Sequence, residues 1–578
     1  MPHQNPLDTP PARREDGTLS IEAPLTTDSP DSLGWQQDCD VLVVGFGAAG
    51  GAAALAAQEA GARVLIAERF EGGGASVKSG GVVYLGGGTK YQKEAGYDDT
   101  PEEMFKYLRQ ETGDAVSEAT LRRFCNDSLD LLAWLEKIGV EFQSYEKPPK
   151  TSYPRNGVYL YYSGSEAVPS FAAQARPAPR GHRVRAPGID SGRELYRVLR
   201  EEVARQNIPV LRQSAVRRLV TDAKTGAVLG AEVWQLPPAS PIAHRHQRLM
   251  RRAERIHNFS PRRADRLRAQ ALAIELAEAQ PLLVRARRGV ILSAGGFIFN
   301  REMLRQYAPK YLPAMRLGAT GCDGSGIRLG ASVGGALDRM STASAWRFIN
   351  PPTAWPKGIV VNRQGQRFCN EQVYGARLGV EMVDHNEGKA WLILDKRLRS
   401  AALREALSGK LWFFQSVPAL FLMGFAPRAK TPEALAAKIG LPPRALKASI
   451  EQYTQDAKAG RTDLLNKADD MRAPLDTPPY YALNISVDNK TFPCPSITLG
   501  GLRVDEQTGA VLNAEGRTIP GLYAAGRCAV GIASNKYVSG LSLADCLWSG
   551  RRAGTNAARG IMTNDLSVIP ATAGIQRL

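Results

Sequence analysis

The sequence predicts an α/β protein in two interleaved parts: a Rossmann-like nucleotide-binding domain and an α+β substrate domain inserted into it. Three observations point there. Residues 38–70, "DCDVLVVGFGAAGGAAALAAQEAGARVLIAERF", read as strand, glycine-rich turn, small-residue helix and second strand. Near the far end, "TIPGLYAAGRCAVG" at 518–531 is again a strand running into a glycine turn. Between them, from 313 to 481, the composition becomes more aromatic and helical, including "LWFFQSVPALFLMGF".

The 578 residues suit two or three domains, and 43% apolar content is ample for a large core. Residues 1–37, rich in Pro and Asp, read as a loose arm. The nucleotide domain is expected at 38–312 and again at 482–562, with the inserted domain at 313–481. The stretch 563–578 has no usable pattern and is expected to be a disordered tail. No run of eighteen apolar residues exists, so no membrane-spanning helix is predicted. The first residues lack the apolar core of a secretory signal. Seven cysteines are scattered without a CxxC, which argues against a disulfide framework or a zinc site and for a reducing cytoplasm. No metal is expected.

The net charge of +17 favours anionic partners in general. Its excess is local. An insertion at about 238–282 contains, between Pro241 and Gln270, nine Arg against two acids. It reads as a solvated helical hairpin, as a peripheral membrane or partner patch, or as a nucleic-acid patch. No recognisable nucleic-acid motif accompanies it, so no specific nucleic acid is expected.

Gly45, Gly47 and Gly50 form GxGxxG directly after the strand Val41–Val44. The first glycine makes the tight turn, the second lets backbone approach a pyrophosphate, and the third lets helix and strand pack closely. The helix N-terminus then meets the phosphates with its partial positive charge. Glu68 ends the second strand, placed to accept from a ribose diol. The glycines of "EGGGASVKSGGVVYLGGGT", around Ser76 and Ser79, suit a backbone wrapped against a large flat ligand.

On these motifs, together with "GVILSAGGF", "GATGCDGSGIRLGASVGG", "GIVVNRQGQRFCNE" and "LGGLRVDEQTGAVL", the chain resembles the fumarate reductase/3-ketosteroid dehydrogenase flavoprotein superfamily from residue 38 to 560. The resemblance implies an FAD cofactor. It places Gly45, Gly47, Ala48, Ala49, Gly50, Glu68, Arg69, Ala75, Ser76, Ser79, Gly80, Gly81, Ala294, Gly295, Gly526 and Arg527 at the cofactor. Val216 is implied at the adenine, and Leu541, Ser542 and Leu543 at the flavin pyrimidine. Members with covalent flavin use a His near the second glycine-rich segment. Residues 71–89 have none, so FAD is expected to be non-covalent. As a solvated hairpin, the arginine-rich insertion is expected to be dispensable for flavin binding.

Within the superfamily, "NKYVSGLS" resembles the Tyr-Val-Ser-Gly-Leu-Ser pattern of the 3-ketosteroid 4-dehydrogenase branch. The 1-dehydrogenase branch has Tyr-Pro-Gly-Pro-Gly there. "SGGVVYLGGGT", "YYSGSE" and "PAPRGHRVRAPG" favour the same branch. Fumarate reductases clamp carboxylates with Arg and His, and here only Arg377 and His385 lie near in sequence. Tyr374, Tyr537 and Ser539 are therefore expected to be catalytic, with Gly540, Leu541 and Tyr162 binding substrate. Tyr537, aided by an amide of Gly540 or Leu541, would polarise a 3-ketone. Ser539 would take the proton through Tyr374; its other reading is a helix cap. The aromatic run Leu411–Phe425 is expected to be substrate wall, core of the inserted domain, or a membrane-facing entry for an oily substrate. The alternatives are a 1-dehydrogenase, a 5β-specific 4-dehydrogenase, a dicarboxylate reductase, or a membrane-associated flavin-binding protein. The electron acceptor is expected to be a quinone or a similar molecule.

Overall fold

In the computed structural model, which describes residues 17–560, a nine-stranded sheet carries the first domain. The apolar runs on either side of the glycine turn become β1 (Gln37–Val44) and β2 (Val64–Glu68), parallel, with Val41 opposite Val64. Parallel neighbours need a crossover, and α1 (Ala48–Glu59) supplies it. An antiparallel pair follows, β3 (Ser214–Asp222) and β4 (Val228–Gln235). The arginine-rich insertion then forms α2 (Pro241–Ile256) and α3 (Pro261–Glu278) before the chain re-enters the sheet as β5 (Gln280–Leu292). The first half of β5 pairs antiparallel with β4 and the second half parallel with β1.

The inserted domain leaves after β5. Its core runs from Phe297 to Cys494 and includes a four-stranded antiparallel sheet of Ile359–Val361, Trp391–Leu394, Tyr480–Asn484 and Arg428–Ala429. Tyr480–Asn484 pairs with Trp391–Leu394, so this sheet crosses the expected boundary at 481. The next strand, Pro495–Thr498, sits between Met315–Arg316 and Ala343–Ala345. Pairing partners far apart in sequence hold these strands, and local composition does not report that.

The aromatic run becomes α4 (Phe413–Gly424) and divides between core and surface. Ala419, Leu422 and Met423 join the core on one helical stripe. Phe413, Val417, Phe421 and Phe425 face solvent, 65%, 47%, 51% and 81% exposed. A twelve-residue helix offers one stripe to a core, and the run has more large apolar residues than one stripe holds.

The chain returns as β6 (Thr518–Ala524), parallel to the end of β5, and closes with α5 (Leu541–Arg559) against α1. Residues 17–37 are not a loose arm. Leu25–Thr27 adds a parallel strand to β3, and Leu19 is buried with its N–H on Asp323. Residues 1–16 and the expected tail at 563–578 lie outside the described residues. Among the described residues no helix is long and apolar enough to cross a membrane.

Candidate active site

A cavity of about 660 Å³ opens at the N-terminus of α1. β1 ends at Val44, and Gly45, at φ +99°, turns the chain into the helix. Gly50 has no room for a side chain: a Cβ there would lie 1.9 Å from the Gly45 carbonyl oxygen. The turn leaves Gly47, Ala48 and Ala49 on the cavity wall. Ser76 accepts from the Ala48 amide (3.0 Å) and lines the wall beside Ala75. Glu68, Arg69, Val216, Ala294, Gly295 and Arg527 complete the expected set on that wall.

Other expected cofactor residues stand behind the wall. Gly50 packs on the turn. Ser79 donates to the Ser76 carbonyl and accepts from Gly81, while the Tyr153 ring covers Gly80. Gly526 abuts Ala49, and Leu541 and Leu543 belong to the apolar core, with Ser542 half-buried between them.

Charge on the wall is fixed in place. The Glu68 carboxylate accepts from the Phe46 and Phe70 amides at 2.7 and 2.8 Å. Burial pushes its pKa up, and these amides oppose the shift. Arg69 is held by Glu275 (3.0 Å) and Asp323 (2.9 Å). Arg527 touches Cys322 through one nitrogen, and its Nη1 is buried without a hydrogen-bond partner.

The sequence reading placed the arginine-rich insertion out in solvent. Instead Gln247, Met250, Arg251, Glu254 and Arg255, one stripe of α2, form part of the cavity wall. The expectation that the insertion is dispensable for flavin binding is therefore not supported. Its inner face was hidden in the sequence because polar residues form it.

A second group of residues gathers ahead of α5. Gly540 caps that helix at φ +89°, where a Cβ would lie 2.9 Å from the Tyr84 nitrogen. With Gly540 as the cap, Ser539 is free for other work, and its Oγ lies 3.3 Å from the Tyr161 hydroxyl. Tyr374, which precedes the helix Gly375–His385, is buried and reaches Ser539 as well. Burial holds the Tyr374 phenol well above its ordinary value; Tyr537 and Tyr161 add to the shift and the Ser539 hydrogen bond offsets part of it. Tyr537 lies on Trp346, ring centroids 4.8 Å apart, and Phe348 lies on Tyr374 at 5.8 Å. Burial raises the Tyr537 phenol too, opposed by Arg527 and then by the Gly540 amide. The Leu541 amide donates to the Val538 carbonyl (3.1 Å), while the Gly540 amide turns to the Tyr537 hydroxyl.

Tyr162, expected to bind substrate, turns its ring edge-on to Tyr97, 6.0 Å away. Its neighbour Tyr161 faces Ser539 because successive residues of the strand Leu160–Tyr161 and its continuation alternate sides. Trp346 and Phe348 carried no motif to single them out. Arg377 pairs with Glu111 (3.2 Å), and His385 is exposed at its helix end, so neither belongs to the cluster.

The FAD binding domain family matches residues 40–543. The chain belongs to that family. A relative, the 3-oxo-5-alpha-steroid 4-dehydrogenase of Comamonas testosteroni, is 44% identical over 511 residues, 87% of this chain and 95% of that protein. The crystal structure of the 3-ketosteroid-delta4-(5alpha)-dehydrogenase of Rhodococcus jostii RHA1, in complex with 4-androstene-3,17-dione, matches with TM-score 0.77 at 31% identity, over 93% of this chain and 100% of that one. The 3-oxosteroid 1-dehydrogenase of Mycobacterium tuberculosis (strain ATCC 25618 / H37Rv) is 26% identical over 87% of this chain and 94% of that protein.

The residues fit FAD. A glycine turn that any Cβ would fill lets backbone meet a diphosphate at the α1 N-terminus. Glu68 keeps lone pairs for ribose hydroxyls beyond those its two amides use. The orphaned Arg527 Nη1 is a buried donor in want of an acceptor.

Proposed function

We propose that this protein is an FAD-dependent 3-ketosteroid dehydrogenase that introduces the 4,5 double bond into saturated 3-oxo-5α-steroids during steroid degradation. One observation carries the reading: the Tyr537 phenol and the Gly540 amide converge beside the linked hydroxyls of Tyr161, Ser539 and Tyr374. A neutral ketone oxygen suits two such donors. A dicarboxylate would need cations, yet Arg377 is engaged by Glu111, and Arg527 faces the cofactor cavity.

FAD, held by the turn at Gly45, by Glu68 and by Arg527, would supply the hydride acceptor for carbon 5. The chain's own groups manage the carbon 4 proton. Tyr537 and Gly540 hydrogen-bond the 3-ketone, so negative charge developing on its oxygen falls between preorganised donors in a dry site. Because burial raises the Tyr537 pKa, the phenol keeps its proton and donates without first becoming charged. Ser539 takes the carbon 4 proton in a relay: its own hydroxyl proton passes to the Tyr374 or Tyr161 oxygen as that phenol's proton moves on toward solvent. A lone serine is a weak base, and the linked phenols carry away the proton it displaces. Trp346 and Phe348 offer flat apolar surfaces for a hydrocarbon skeleton.

Anaerobic mixing with 5α-androstane-3,17-dione tests the reading. The flavin should bleach and the product, lighter by two hydrogens, should absorb as a 4-en-3-one. A 1-en-3-one product, or bleaching by the 5β epimer alone, overturns it. The cofactor is held without a covalent bond and is reoxidised by a quinone-class acceptor. The substrate domain extends past Asn484, with the nucleotide domain on either side of it. The protein works in the cytoplasm, in peripheral contact with anionic membrane through the exposed Arg248, Arg252, Arg262, Arg263 and Arg266 of the hairpin. Flotation with anionic vesicles should recover it, and recovery equal to that with neutral vesicles would exclude the contact.

A further inference from the structure

The arginine-rich hairpin has two faces, and the inner one belongs to the cofactor. Its bonds lead to both walls of the cavity. On one wall, His246 of α2 stacks on Phe70 and hydrogen-bonds Gln213, while Arg251 pairs with Glu71 (2.9 Å). Phe70 and Glu71 follow Glu68 directly, and Gln213 lies just ahead of Val216, so this is the adenosine end. On the other wall, Glu254 accepts from the Thr320 amide (2.9 Å), Asp265 pairs with Arg316 (2.9 Å), and His257 reaches the Arg316 carbonyl (3.0 Å).

One buried knot ties the walls together. Glu275 of α3 meets His246 at 2.9 Å and Arg69 at 3.0 Å, and Arg69 continues to Asp323. Glu275 and His246 are 6% and 1% exposed, so lifting the hairpin would break charged hydrogen bonds that no solvent now competes for. Arg255, on the cavity wall, pairs with no carboxylate among the described residues. It adds positive charge where a diphosphate ligand enters.

We infer that α2 and α3 form a clamp over the adenosine end of FAD, strapped to both walls of the cavity, and that opening of this clamp limits release of the cofactor. The inference rests on the FAD reading of the cavity. A clamp at that end has a specific consequence. It retains FAD and is indifferent to FMN, which lacks the adenosine half.

The test compares the wild-type holoenzyme with Glu275→Gln and with the double variant Arg251→Ala/Arg255→Ala. The double variant alters exposed side chains only, so it keeps the test alive if Glu275→Gln fails to fold. Release is followed by recovery of flavin fluorescence on dilution, and the deflavinated full chains are titrated with FAD and with FMN. Glu275→Gln should release FAD about tenfold faster, the scale of losing a charged hydrogen bond, and the double variant about threefold faster, the scale of an exposed ion pair, with FMN affinity unchanged in both. Arg255→Lys, which keeps the charge, should release FAD at the wild-type rate, whereas Arg255→Ala should not. Unchanged FAD release overturns the clamp, as does an equal loss for FAD and FMN. A wild-type holoenzyme whose extracted flavin is not FAD overturns the cofactor reading and the clamp with it.

Discussion

The cofactor cavity and the hydroxyl cluster are built on opposite plans. Backbone and small residues shape much of the cavity, so one short motif encodes its centre: Gly45 and Gly50 matter for the side chains they lack. Side chains make the cluster, and they come from segments around residues 161, 346, 374 and 537, which meet only after folding. A backbone site is read from spacing, whereas a side-chain site needs to be assembled. The two should also fail differently, one by losing flavin and the other by losing turnover with flavin in place.

The largest effect should come from Gly50→Ala. Its Cβ would sit 1.9 Å from the Gly45 carbonyl oxygen, so the turn is displaced and purified protein should be colourless. A yellow, active Gly50→Ala protein would break the contrast. Next, Tyr537→Phe should keep the flavin spectrum while kcat/KM for a 3-oxo-5α-steroid falls about 100- to 1,000-fold, the usual cost of one such donor. Ser539→Ala should lose about a hundredfold by removing the proton acceptor.

A smaller pair of substitutions sharpens the comparison inside the cluster. Tyr161→Phe should cost about tenfold, one hydrogen bond to Ser539, while Tyr162→Phe should stay within about twofold. Equal losses would mean the two faces of that strand are not distinguished. Least visible is the pH dependence. Burial raises the Tyr537, Tyr161 and Tyr374 phenols above their ordinary value of about 10, so their neutral forms persist past that pH. The kcat/KM profile should therefore show no alkaline limb from phenol ionisation below about pH 10. A limb near neutrality that vanishes in Tyr537→Phe would contradict this.

The legible features share a cause. Strand–turn–helix at 38–70 is a local pattern, fixed by apolar alternation and by glycine sterics, and it emerged as β1, α1 and β2. Tyr374, Tyr537 and Ser539 were singled out through a resemblance carried by short contiguous stretches, and the fold brings them together. Misreadings arose where a partner lies far away. Tyr480–Asn484 belongs with Trp391–Leu394, and Leu19 is buried through Asp323. The choice between Tyr161 and Tyr162 turned on which side of a short strand faces Ser539.

The sequence alone determined the nucleotide turn and the residue types of the hydroxyl cluster, because each follows from neighbours along the chain. Tertiary structure decided the rest. It set the inner face of an arginine-rich hairpin against the cofactor cavity and left an aromatic helix facing water. Composition hid the first and left the second open. Burial is a property of what packs opposite, and charged residues can line a cavity when enough fixed partners, here Arg69, Glu71 and Thr320, meet them there.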